Sequence, residues 1–166
     1  MISFFVQGEP KGQPRPRAST FRNGGRPRIF DPGTAENWKS LIAYEAKNFA
    51  AQFPIQQAIC LAVDFHFARP KAHFRFRRGL LAGLKESAPA WKEAKPDIDN
   101  LLKAVMDALT QIGAWHDDAQ VCQIIVRKRF CEIEEQAQGA QITIEPLPRA
   151  TTAADPRPSP TPELFS

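Results

Sequence analysis

Aspartates supply the chemistry this chain can do. Asp97 and Asp99 stand two apart directly after Pro96, and the neighbours Asp117 and Asp118 follow about one helix length later. Between residues 97 and 118 five aspartates face one lysine, Lys103, in a chain whose formal net charge is +4. Carboxylates gathered this way repel one another unless they share a proton or a cation. A hard divalent cation with oxygen ligands resolves the repulsion. Each residue also has an ordinary reading. An Asp at a helix start caps free N–H groups and suits the helix dipole, and Asp117-Asp118 also fits a solvated turn.

The segment between the pairs is the element that positions them. Ile98, Leu101, Leu102, Val105, Leu109 and Ile112 recur at steps of three and four, which predicts one apolar face of an amphipathic helix. Pro96 and Asp97 are start signals and Gly113 is a stop signal. A helix of about fifteen residues is roughly 22 Å long, so by itself it holds the two pairs apart. They converge only if the chain after Trp115 runs back along the helix; otherwise one pair serves another purpose. Asp99 and Lys103 are i and i+4 on one face. That spacing suits a surface ion pair, worth about 0.5 kcal/mol at most, and equally a lysine held beside a phosphate.

KPDIDNLLKAVMDAL followed by WHDDAQV resembles the core signature of the RusA family of Holliday junction resolvases, small metal-dependent DNA endonucleases common in prophages. The family pattern D-x-D-N-L-x-K, a helix ending D-A-L, then D-D-A-Q-V is matched at Asp97, Asp99, Asn100, Leu101, Lys103, Asp107, Ala108, Leu109, Asp117, Asp118, Ala119, Gln120 and Val121. The resemblance implies that Asp97, Asp99 and Asp118 are the acidic catalytic residues and ligands of Mg²⁺, with Mn²⁺ as a substitute. It implies that Lys103 is the catalytic basic residue, and it leaves Asp117 as a further candidate ligand. It also implies a homodimer acting on a four-way DNA junction. A twofold dimer fits that substrate, because two coordinated nicks need two sites. The alternative is a branched-DNA-binding phage accessory protein that does not cut, or does not select junctions.

Charge is distributed as DNA binding requires. The acidic centre is preceded by two basic segments, an arm, residues 8–28, and a flap, residues 69–95. The arm carries Lys11, Arg15 and Arg17; the flap carries Arg69, Lys71, Arg75, Arg77 and Lys95. Such groups contact phosphates. The arm, rich in Pro, Gly and Arg, reads as an extended loop that is either a basic linker or a track for the DNA backbone. In the flap Phe74 and Phe76 alternate with Arg75 and Arg77, a pattern suited to unstacked bases and also to a plain β edge. Cys60, Cys122 and Cys131 lack metal or disulfide spacing and read as reduced thiols. His66, His73 and His116 are scattered. No apolar run is long enough to span a bilayer, and no signal peptide is evident, which predicts a cytoplasmic protein.

The remaining elements follow in order. Ile2–Gln7 reads as a strand, and Thr34 opens a helix to about Ala51. Residues 58–67 alternate as a strand, with Asp64 on its second face read as solvated. Residues 120–130 form another strand, ending in Arg127, Lys128 and Arg129, which are candidates for phosphate contact. Residues 140–145 form the last. The expected fold is α+β or mixed α/β, a small mixed sheet of about four strands packed on two helices. A nuclease domain covers residues 1–146, and a Pro-rich tail, 147–166, has too little apolar surface to order itself.

Overall fold

The computed structural model describes residues 1–13, 17–19, 28–30, 35–132 and 138–149, with segments 17–19 and 28–30 described in backbone only. The elements are β1 (Ile2–Gln7), β2 (Arg17–Ser19), β3 (Arg28–Phe30), α1 (Glu36–Ala46), β4 (Ile59–Phe67), β5 (Phe74–Arg77), β6 (Leu80–Leu84), α2 (Ile98–Gln111), β7 (Val121–Phe130) and β8 (Gly139–Pro146). The main sheet has the order β1-β8-β4-β7. β8 is antiparallel to both β1 and β4, and β7 is parallel to β4. A parallel pair needs a crossover; here the flap and α2 supply it. The expected mixed α+β architecture is the one observed.

Alternation puts Ile59, Leu61, Val63, Phe65 and Phe67 into one core with Trp38 and Ile42 of α1 and with Leu101, Val105 and Leu109 of α2. Burying a side chain such as Leu101 or Leu109, each at 0% exposure, contributes about 1.5–3 kcal/mol. The apolar stripe of α2 is narrower than its sequence pattern. Ala104 and Ala108 join the buried face, whereas Ile98 at its start is 42% exposed. The helix predicted from Thr34 to about Ala51 is divided: α1 begins at Glu36, and Lys47–Gln52 tightens into a 3₁₀ turn.

Two further differences concern the basic segments. The arm is not uniformly extended, because β2 and β3 pair antiparallel, Arg17 with Phe30 and Ser19 with Arg28. The flap contains a second ribbon, β5 with β6. At its tip Arg78 and Gly79 have φ of 51° and 80°, the two left-handed residues that a tight hairpin turn demands. Leu147 still joins the fold, its N–H donating to Ala58 O at 2.7 Å. The tail from residue 150 lies outside the described residues.

Candidate active site

α2 begins as the sequence predicts, but Asp97 does not cap it. Asp97 occupies the N-cap position with extended backbone (φ −71°, ψ 143°), yet its side chain makes no capping hydrogen bond. The capping role expected of Asp97 is thereby removed, and the residue is exposed. Asp99 follows in the first turn and is also exposed. Both line an open cleft of about 620 Å³. Its other walls are Trp91, Lys92 and Glu93 from the returning limb of the flap, Ile98, and Val126, Arg127 and Lys128 of β7.

Lys128 ties these walls together. Its ammonium donates to Pro96 O at 2.8 Å and to Ala94 O at 3.0 Å, fixing the backbone just before Asp97. The Lys92 N–H donates to Lys128 O at 3.3 Å, and the Phe130 N–H to Ala90 O at 2.9 Å. Burial lowers the Lys128 pKa, the neighbouring charge of Lys92 adds to this, and the Asp97 carboxylate opposes it. Lys92 lies over the rings of Phe67 and Phe130, at 5.1 and 5.5 Å. Sequence alone does not single out Trp91 or Lys92 as site residues, and it marks Lys128 only as a phosphate contact. A tryptophan inside a basic stretch is the one local signal.

The basic arm starts at the same place. The Gln13 N–H donates to Asn100 O at 2.8 Å, so residues 11–13 cross the first turn of α2. A Cβ at Gly12 would lie 3.1 Å from Asn100 Cβ, which explains glycine at this crossing. Lys11 is ion-paired with Glu9 at 2.6 Å. Arg15 lies outside the described residues, and Arg17 is described in backbone only. Lys71, Arg75, Arg77 and Lys95 are exposed along the flap. Arg69 serves the flap's base instead: Nε donates to Cys131 O and Nη1 to Pro89 O, both at 2.7 Å.

The second acidic pair is elsewhere. β7 is the return that convergence required, running back along α2 until Lys128 meets Pro96. Asp118, however, precedes β7, in a 3₁₀ turn (Asp118–Gln120) beyond the other end of the helix. Lys103, exposed, stands between the two ends. The fourteen residues of α2 span about 21 Å. Among the described residues, no three His, Cys, Asp or Glu side chains gather to hold one ion. Asp117 holds its own turn together. Its Oδ1 accepts from the Ala119 N–H at 2.7 Å, and Gln120 Oε1 accepts from the Asp117 N–H at 3.3 Å. Gln120 Nε2 also donates to Ile55 O and Gln57 O, so the D-D-A-Q run locks this turn onto the chain preceding β4. Asp107, another residue of the signature, lies 3.7 Å from the buried Lys39 Nζ and links α2 to α1.

Asp64 is not solvated, contrary to its sequence reading. It is 4% exposed, with Arg129 Nε at 3.0 Å and His66 Nε2 at 3.4 Å from Oδ2. The parallel register sets Asp64 beside Arg127 and His66 beside Arg129 on the second sheet face. Burial raises the carboxyl pKa, but His66 and Arg129 overcome it and hold it below the ordinary range. Arg129 and Lys128, both phosphate contacts by their sequence reading, are therefore engaged within the fold. No helix among the described residues is long and apolar enough to cross a membrane.

Comparison with known proteins identifies the family. The family model described as "Endodeoxyribonuclease RusA" matches residues 7–145, from the end of β1 into β8. An uncharacterized protein, YqaN of Bacillus subtilis (strain 168), is 32% identical over 134 residues, covering 79% of this chain and 89% of that protein. The family match takes in the arm, the flap, the cleft and both acidic pairs. The chain belongs to the RusA family of endodeoxyribonucleases.

Proposed function

We propose that this protein is a metal-dependent endonuclease that resolves four-way DNA junctions by paired phosphodiester cleavage, and that it works as a homodimer in the cytoplasm. The observation that carries the reading is the cleft at the start of α2. Two exposed carboxylates, Asp97 and Asp99, stand there among ammonium groups, with the basic arm crossing one side and the basic flap forming the other. Cations around such a cleft hold phosphates, and paired aspartates provide the hard oxygen donors that Mg²⁺ or Mn²⁺ prefers. Asp97 and Asp99 would hold the ion together with Asp118. When bound, the ion would supply Lewis-acid polarisation of the scissile phosphate.

Asp118 cannot join Asp97 and Asp99 within one chain, since a helix length separates them. A twofold pair of chains with their α2 helices antiparallel would set the start of one beside the end of the other. Each junction strand would then meet a site built from two chains. Lys103 would sit beside the phosphate and stabilise its developing charge. Lys11, Arg15, Arg17, Lys71, Arg75, Arg77 and Lys95 would hold the backbone on either side.

The test is incubation with a mobile four-way junction and Mg²⁺, beside linear duplex and Y-shaped controls. Asp97→Asn, Asp99→Asn and Asp118→Asn should each stop cleavage and leave junction binding intact. Lys103→Ala should cut about 10²-fold more slowly at saturation, the scale of one lost transition-state donor. Mixing Asp97→Asn chains with Asp118→Asn chains should restore nicking of a single strand, because one of the two shared sites regains every carboxylate. A mixture as inert as its components rules out the shared site, and equal cutting of junction and linear duplex rules out junction selectivity.

A further inference from the structure

Resting on the reading of this protein as a junction nuclease, we infer that the β5–β6 hairpin is a wedge whose apolar side chains dock on unstacked bases at the branch point of the DNA. The ribbon has two unlike faces. Cross-strand partners share a face, and Phe76 pairs with Leu81 and Phe74 with Leu84. The register shift between Arg75 and Phe76 inserts an extra residue in β6, which returns Leu84 to the face of Leu81. The other face carries Arg75 and Arg77, the latter paired with Leu80. Phe74 and Leu84 are half-buried near the ribbon's base. Phe76, Leu81 and Leu80 are 55%, 56% and 74% exposed toward its tip.

An isolated two-stranded ribbon is marginal in water, and three large apolar side chains on its outer half point to a partner surface. Charge selects the partner. From Arg69 to Lys85 the chain has six cations and no carboxylate. A second copy of this ribbon would be repelled, whereas a polyanion is attracted. DNA offers an apolar surface only where its bases are unstacked, and a branch point interrupts stacking already. Apolar wedges act at such steps, and arginines on the opposite face are placed for the flanking phosphates. The hairpin is also anchored where the cleft is built. His73 packs edge-on against Phe130, with ring centroids 4.8 Å apart, and the Lys85 N–H donates to His73 O at 2.9 Å. The chain leaving β6 goes on to supply Trp91 and Lys92 to the cleft. A wedge at the branch point would thereby set which phosphates reach Asp97 and Asp99.

The experiment compares affinity for an immobile four-way junction with affinity for linear duplex, in EDTA, using the full chain. A junction carrying 2-aminopurine at the branch point reports unstacking. The wild type should favour the junction and raise the 2-aminopurine signal. Phe76→Ser/Leu81→Ser, two exposed changes on the apolar face, should lose the signal. It should lower the junction-to-duplex ratio roughly tenfold, the scale of one lost base contact, with duplex affinity within about twofold of wild type. Arg75→Ala/Arg77→Ala should instead weaken both substrates together. A Phe76→Ser/Leu81→Ser variant with an unchanged ratio and signal overturns the wedge. So does one that dissociates into single chains by sedimentation, which would make this face a chain–chain contact. A wild type that neither binds nor cuts junctions overturns the nuclease reading itself.

Discussion

Lys128→Met keeps the length and apolar stem of the side chain and removes the ammonium that fastens the flap to the head of α2. Two hydrogen bonds are lost, to Pro96 O at 2.8 Å and Ala94 O at 3.0 Å. A hydrogen bond to a charged group contributes about 1.5–3 kcal/mol net. This ammonium is partly exposed, which reduces each to about 1 kcal/mol and the pair to about 2 kcal/mol. That stability loss should appear as a lower urea midpoint with an unchanged slope. The effect on cleavage should be larger than the effect on folding. Pro96 immediately precedes Asp97, and a displacement of about 1 Å at a reacting group costs on the order of 10²-fold. Single-turnover cleavage of a saturated junction should therefore slow by about that factor, and Lys128→Arg should recover part of it by keeping a donor in reach of the carbonyls. A Lys128→Met protein that unfolds at the wild-type midpoint and cuts at the wild-type rate would show that the two carbonyl contacts position nothing.

Asp64→Asn should destabilise the domain by about 3 kcal/mol, since it leaves Arg129 and His66 without their shared carboxylate. The Asp64 pKa is lowered in the fold, so its stabilisation is present above the ordinary carboxylate range, near pH 4, and is lost as pH falls through the lower folded value. The wild-type advantage in urea should accordingly shrink toward zero on acidification below about pH 4, and a gap that persists there contradicts the ion-pair account. Gly139→Ala should open the β1–β8 ladder, because its Cβ would fall 2.2 Å from Val6 O and 2.6 Å from the Phe5 ring. A loss of at least about 2 kcal/mol is expected, and a thermal midpoint equal to wild type would refute it.

Local periodicity makes much of this legible. The alternation of Ile2–Gln7 and of residues 58–67, and the three-and-four spacing from Ile98, need no distant partner to be recognised. The bounds of β1 are as read, and those of β4, β7, β8 and α2 agree to within a residue or two. The length of α2 shows that the helix alone cannot bring Asp97 and Asp118 together, and the path of the chain after Trp115 is not legible in the sequence. What escapes are properties that arise from pairing across the sequence. Asp64 looks solvated because only His66 stands near it in sequence; its second partner, Arg129, arrives only through the parallel register of β4 and β7. Lys128 looks like a phosphate contact because its two carbonyl acceptors belong to another segment. Asp117 and Asp118 look equivalent in sequence, and the turn geometry alone distinguishes the one that accepts from Ala119.

The place of β8 in the sheet has a consequence for biosynthesis. It is the last strand in sequence, yet it lies between the first strand and β4, and its ladders run from Ile2 with Ile144 on one side to Ile59 with Pro146 on the other. Until the ribosome has released residue 146, β1 has no neighbour and β4 lacks its antiparallel side. Chains that stop before Gly139 should stay open, with β1 unpaired and one edge of β4 exposed to chaperones and proteases. A domain wired this way closes only after β8 has been made and has inserted between β1 and β4.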